Sequence, residues 1–244
     1  MDNKRKKIVN YFSSFSWAIF SGVLVFWYFV GRYGLSASAL NSFFLSLAFV
    51  SLYVYIFFGA RISDNAMDEY IAEDISAAMK QALNKISIDD SELVGDPLLF
   101  KAFRLFNTSG ATKLSKKGAD GVLRFTPIDL TIIHMTQNQL ITYRACLDLT
   151  TGKLLNEESD EYFYKDIVSV STKTVSESFS SETLGNIQLN SAEVFELVTS
   201  GGTSVKVLLK DPKLIKLMGG GDIPDTNSER AVQVIRKMLR EKKM

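Results

Sequence analysis

The sequence predicts an α+β protein in three parts. These are an N-terminal two-helix transmembrane hairpin (residues 1–61), a helical connector (62–120) and a C-terminal β-barrel or sandwich capped by one helix (121–244). Three observations predict it. Two uncharged apolar runs, Ile8 to Gly31 and Tyr33 to Ala60, open the chain with only Arg32 between them. Near Val122 the spacing of apolar residues changes from steps of three and four to alternation. The chain then closes on an amphipathic basic segment that follows Gly219-Gly220-Gly221.

A helix rises about 1.5 Å per residue and crosses a ~30 Å hydrocarbon core in about 20 residues, so each run is long enough to span. Lys4, Arg5, Lys6 and Lys7 precede the first run and Arg61 follows the second, which places both ends in the cytoplasm. Ala37-Ser38-Ala39 has the small residues of a cleavage site. A signal peptide is nevertheless disfavoured, because its apolar core would be too long and a second run follows at once. Ser14, Ala18 and Gly22 in the first run, and Ser38, Ser42 and Ser46 in the second, recur every four residues. Each set lines one helix face where backbones approach closely, giving candidate membrane-helix packing positions within or between chains.

The net charge of +1 is unevenly spread: the ends are basic and the segment after Arg61 is acidic. One cysteine, Cys146, excludes an internal disulfide and reads as a buried strand residue. One histidine, His134, alternates with Ile133 and Met135 and reads as structural. One His and one Cys assemble neither a histidine metal cluster nor a zinc site. Thr151-Gly152-Lys153 lacks the upstream glycine of a phosphate loop and reads as a turn. No catalytic residue, metal ligand or cofactor is assigned, and nucleic acid is not an expected partner.

Met67, Tyr70, Ile71, Ile75, Ala78, Met79, Leu83 and Ile86 define an amphipathic helix from Ser63 to Ile86. Asp64, Asp68, Glu69, Glu73 and Asp74 in its first half favour a helix start and oppose an anionic leaflet, so it reads as a stalk or as a surface for another copy. Asp96-Pro97 signals a second short helix through Leu98, Phe100, Phe103 and Phe106. The loop from Asn107 to Asp120 carries Lys113, Lys116 and Lys117, either solvated or touching anionic lipid headgroups.

Candidate strands follow at Asp129–Met135, Gln139–Leu149, Tyr162–Thr172, Asn186–Leu189, Ala192–Thr199 and Ser204–Leu209. Turn signals separate them at Thr136-Gln137-Asn138, Thr151-Gly152, Leu184-Gly185-Asn186, Asn190-Ser191 and Gly201-Gly202. The last helix starts near Thr226 and Asn227 and places Ala231, Val234, Ile235, Met238 and Leu239 on one face. Its basic end suits the negative end of a helix dipole.

Consecutive strands closed by one helix resemble the bacterial pleckstrin-homology-like domains of membrane proteins. The resemblance rests on the hairpin Ile133 to Tyr143, the strand Tyr164-Lys165-Asp166-Ile167-Val168-Ser169-Val170 and the strands flanking Gly201-Gly202. It covers about half of the chain, from Val122 onward. It implies a seven-stranded, helix-capped fold that binds proteins or lipids and is not itself catalytic. The basic cluster with which some of these domains hold inositol phosphates is reduced here to Arg144 and Lys153.

The expected function is therefore a non-enzymatic interaction module anchored in the bilayer of a bacterial inner (plasma) membrane. It would present its domain to a cytoplasmic protein partner or to other copies of itself, through Glu157, Glu158 and Glu161 in an exposed acidic turn. A second expectation is an oligomeric effector that permeabilises the membrane during stress or phage defence, with the same domain as sensor.

Overall fold

The computed structural model describes residues 2–13, 21–25, 27–28, 37–59, 61–103, 110–181, 185–210, 215–216, 220, 222 and 228–242. Side chains are described for these except at 37–43, 56–59, 90, 177–181, 185–191, 210, 228 and 229. The chain forms two compact units, Met1–Ser63 and Asp64–Met244.

In the first unit, helix α1 spans Asn3–Phe12 and helix α2 spans Ala37–Gly59. Residues 21–25 and 27–28 are also helical. Among the described residues no helix is long and apolar enough to cross a membrane. This corrects the transmembrane hairpin and the membrane character expected from the two runs. The first run is not one helix: α1 takes in the charged Lys4 to Lys7 and stops at Ser13, whose backbone is extended at φ −64°, ψ 138°. Ten residues rise about 15 Å, half of a ~30 Å core. In α2 the described side chains run from Phe44 to Tyr55, about 18 Å of helix. Phe44, Leu45, Phe49, Leu52 and Tyr55 are each more than half exposed, an apolar surface of the kind that marks association. The permeabilising effector needs two spans and is not carried forward.

Helix α3, Asp64–Ile86, opens the second unit, with Asp64 in its first turn and Lys85 in its last. It ends where Ser87 turns left-handed (φ 52°) and its N–H closes onto the Leu83 carbonyl at 3.1 Å. The helix is not a stalk. Its apolar stripe buries Met67, Ile75, Ala78 and Ala82, and Ala82 packs with Ile132, Tyr143 and Ala145 on a sheet face.

That sheet is antiparallel, in the order β1-β4-β5-β6. Its strands are β1 (Leu98–Phe103), β4 (Ile128–Met135), β5 (Gln139–Asp148) and β6 (Lys153–Phe163). The helix expected after Asp96-Pro97 is thus a strand. Leu98 to Phe103 pairs with Ile133 to Ile128, and burial by β4 overrides the local cap signal. Between β1 and β4 a two-stranded ribbon, β2 (Leu114–Lys117) and β3 (Leu123–Thr126), replaces part of the expected lysine loop.

A short 3-10 turn, Tyr164–Asp166, leads into a meander in the order β7-β8-β9. Its strands are β7 (Ile167–Ser181), β8 (Gly185–Thr199) and β9 (Ser204–Lys210). Asn190-Ser191 is not a turn but lies inside β8, at the register shift between the pairs Val175–Ala192 and Glu177–Leu189. Helix α4, Ser228–Lys242, closes the unit. One core joins the pieces: Phe100, Ile133 and Leu140 from the first sheet, Ile167, Phe195 and Val207 from the second, and Ala231, Ile235 and Leu239 from α4. The rings of Phe100 and Phe195 stack across it at 5.9 Å and 13°.

Candidate peptide-binding groove

Strand β7 is the outer strand of its sheet, so among the described residues no strand lies along its far side. At its start Ile167 pairs with Thr199 and Ser169 with Val198, which leaves Val168 as an extra residue in a bulge. Val168 is 60% exposed, an apolar side chain turned to solvent beside a strand edge. Opposite stands α4, and between them runs a groove of about 420 Å³. Ile167 to Val170 form one wall; Arg236, Leu239 and Arg240 form the other. Ile167 and Leu239 belong to the core, so the floor is apolar and fixed.

The rim is basic. The Arg236 Nη2 donates to Thr172 Oγ1 at 3.2 Å, which holds one guanidinium over the groove, and Arg240 lies exposed one turn on. Among the residues lining the groove there is no carboxylate. Farther out, Lys173 on β7 bonds Glu196 on β8 at 2.6 Å, and Lys206 on β9 approaches the same carboxylate at 3.4 Å. The Lys173 hydrogen bond, chiefly, holds Glu196 below its ordinary range against the opposing cost of burial, with Lys206 assisting. An extended segment laid along β7 would find main-chain partners at the edge, an apolar floor and two guanidiniums suited to carboxylates. A larger groove of about 580 Å³ lies between α4, β1 and the residues 94–97. Lys101, Arg230 and Lys237 there face Asp96 and Glu241, so it presents no single sign of charge.

The acidic residues expected to face a partner lie on strand β6, not in a turn, and they have separate settings. Glu157 is taken up by the fold: its carboxylate accepts the Tyr143 hydroxyl at 2.5 Å and Gln81 Nε2 at 3.1 Å, and pairs with Lys85 Nζ at 3.2 Å. It fastens the end of α3 to β5 and β6. The Tyr143 bond, first, lowers the Glu157 pKa, while burial, first, raises that of Tyr143. Tyr143→Phe removes one bond to a charged group but leaves Glu157 its Lys85 and Gln81 partners, so a loss of about 1–2 kcal/mol is expected in urea unfolding. Glu158 is 54% exposed and pairs with Arg144, and Glu161 accepts Gln139 Nε2 at 3.2 Å.

Of the expected packing positions, Ser14 and Ala18 lie outside the described residues, as do the side chains of Ser38 and Ser42. Among the described residues, a methyl group at Gly22 would meet no atom within 4 Å. Ser46 Oγ accepts the Trp27 indole N–H at 2.9 Å. His134 and Cys146 are buried on β4 and β5.

Burial pushes the Tyr164 hydroxyl up to about 12 while it donates to the Thr136 carbonyl at 3.0 Å. A pKa raised in the fold contributes stability below the unfolded value near 10 and loses it as pH rises. Stability is therefore expected to fall between about pH 10 and 12, and Tyr164→Phe to flatten that decline in a pH series of urea midpoints.

In the sequence Arg236 and Arg240 read as a dipole feature only. The signal for the groove was their four-residue spacing around Leu239, but only the topology shows that this face of α4 lies beside a strand edge. Among the described residues no group of three His, Cys, Asp or Glu is disposed to hold a metal ion. Compared with known proteins, the chain matches no family model, no curated protein and no solved structure.

Proposed function

We propose that this chain is a non-enzymatic interaction module that captures an extended acidic segment of a protein partner along β7. The carrying observation is the bulged outer strand with Val168 exposed, facing two arginines across a groove whose lining has no carboxylate. Edge addition supplies main-chain hydrogen bonds, and the Arg236 and Arg240 guanidiniums select for acidic side chains. Three buried polar groups support a binding role rather than a catalytic one. Arg124, Asp148 and Tyr143 are each engaged by the fold's own partners. The pleckstrin-homology-like resemblance belongs to the same proposal. It is supported by a four-stranded sheet, a three-stranded meander and a closing helix, with the β2-β3 ribbon as an insertion.

The test uses full-length protein in a mild detergent, which covers the apolar side chains of α2, and a labelled peptide of alternating Glu and Val. Fluorescence anisotropy should show saturable binding that weakens as salt rises. Arg236→Glu with Arg240→Glu should weaken it at least about tenfold, a change of about 1.4 kcal/mol. Binding that ignores both reversals would remove the groove as the site.

A further inference from the structure

The geometry points to a specific occupant for this groove: strand β6 of a second copy of the chain, so that copies join head to tail. The inference rests on the groove reading above and names its partner. Among the described residues β6 is an outer strand of the four-stranded sheet, as β7 is of the meander, so each copy carries one β6 edge and one β7 edge. Glu158, Ser159, Asp160 and Glu161 are exposed along β6.

Edge and groove are complementary in charge and in spacing. Glu158 and Asp160 point to the same side of their strand and lie about 7 Å apart. Arg236 and Arg240 are separated by four residues of helix, a rise of about 6 Å. Two carboxylates therefore meet two guanidiniums in register. The same charges oppose pairing of β6 with β6, which would set carboxylates opposite one another. Unlike edges are compatible. A β6-to-β7 contact uses different surfaces on its two members, so every added copy leaves one edge of each kind open, and the product is a ring or a growing row rather than a closed dimer.

Sedimentation of the full-length protein in mild detergent, over a hundredfold range of concentration, reads the assembly directly. Species larger than the monomer are expected to grow with concentration and to dissociate as salt rises. Arg236→Glu/Arg240→Glu and, separately, Glu158→Lys/Asp160→Lys should each weaken assembly at least about tenfold. Mixing these two variants should restore it, since each reversed surface then finds its complement. Glu158 also pairs with Arg144, so Asp160→Lys/Glu161→Lys serves as a second edge variant that leaves that pair intact. A wild-type chain that stays monomeric throughout, or a folded mixture that does not reassemble, overturns the inference. If the Glu-Val peptide still binds through Arg236 and Arg240 in that case, the groove stands and only its occupant is wrong. Loss of arginine-dependent peptide binding removes both.

Discussion

Removing Asp68 and Asp120 together is expected to destabilise the protein more than removing the arginine they hold. Arg124 lies on the buried ribbon strand β3 and is 1% exposed, while Asp68 and Asp120 are 51% and 38% exposed. Its Nε and Nη2 donate to the two Asp68 oxygens at 2.7 and 2.6 Å, and Nη1 and Nη2 to the two Asp120 oxygens at 3.0 and 2.6 Å. Asp64 completes the arrangement by accepting the Ala119 N–H at 2.8 Å. These bonds tie the first turns of α3 to the β2-β3 turn. Gly118 permits the close approach, since a methyl there would run into Arg124, Asp120 and Asp64.

With both partners changed to alanine, the buried guanidinium keeps only the longer contacts to Asp64 at 3.9 Å and the Val122 carbonyl at 3.4 Å, at a cost of about 3 kcal/mol. With Arg124→Met, the two carboxylates return to water they already touch and the methionine fills part of the space. The loss should then be smaller, about 2 kcal/mol. Urea midpoints at pH 7 for the two variants give the order, and the reverse order would show that the arginine is not the costly member.

The same cluster sets an acid response. The Arg124 hydrogen bond, above all, lowers Asp120 from 3.8 to about 2. A lowered carboxylate contributes stability above its unfolded pKa and loses it as pH falls through the folded one. The window is therefore about pH 4 to 2, and Arg124→Met should remove this part of the acid sensitivity.

Much of the second unit was legible because its strands alternate and its turns carry their own chemistry. Asp148 holds Thr150 and Thr151 in the β5-β6 turn, and Thr136 closes the β4-β5 turn. The α3 stripe predicted a buried face correctly, but not what covers it: the same period serves a stalk, a dimer or a sheet. Strand β6 was missed because Glu157 to Glu161 give no alternation, and an outer strand needs apolar residues on only part of one face. Strand β1 was missed because Asp96-Pro97 is locally a helix start, while its pairing to β4 is made across a ribbon inserted between them. Glu157 illustrates what the sequence does not report about this acidic stretch. Nothing near it in sequence announces Tyr143, Gln81 and Lys85 as its partners. The two apolar runs were plain in the sequence, yet the stop at Ser13 depends on a single backbone conformation that composition does not report.

Phe195→Ala should be the most damaging change in the apolar core. Phe195 is fully buried in the middle of β8, stacked on Phe100 of β1, and its ring joins the two sheets beneath α4. Deleting it leaves a cavity that strands paired on both sides cannot collapse to fill, so a loss of about 3–5 kcal/mol is expected, with Phe195→Leu costing less. The damage should reach the groove, because Ile167 and Leu239 share that core and also line it. Phe195→Ala is thus expected to lower stability and peptide capture together. Val168→Ser separates the two: its side chain is mostly in solvent, so stability should change by less than about 0.5 kcal/mol while capture weakens. Urea midpoints and peptide anisotropy measured on both variants decide the matter. Capture that falls with Phe195→Ala but not with Val168→Ser would mean that the groove matters only through the core beneath it.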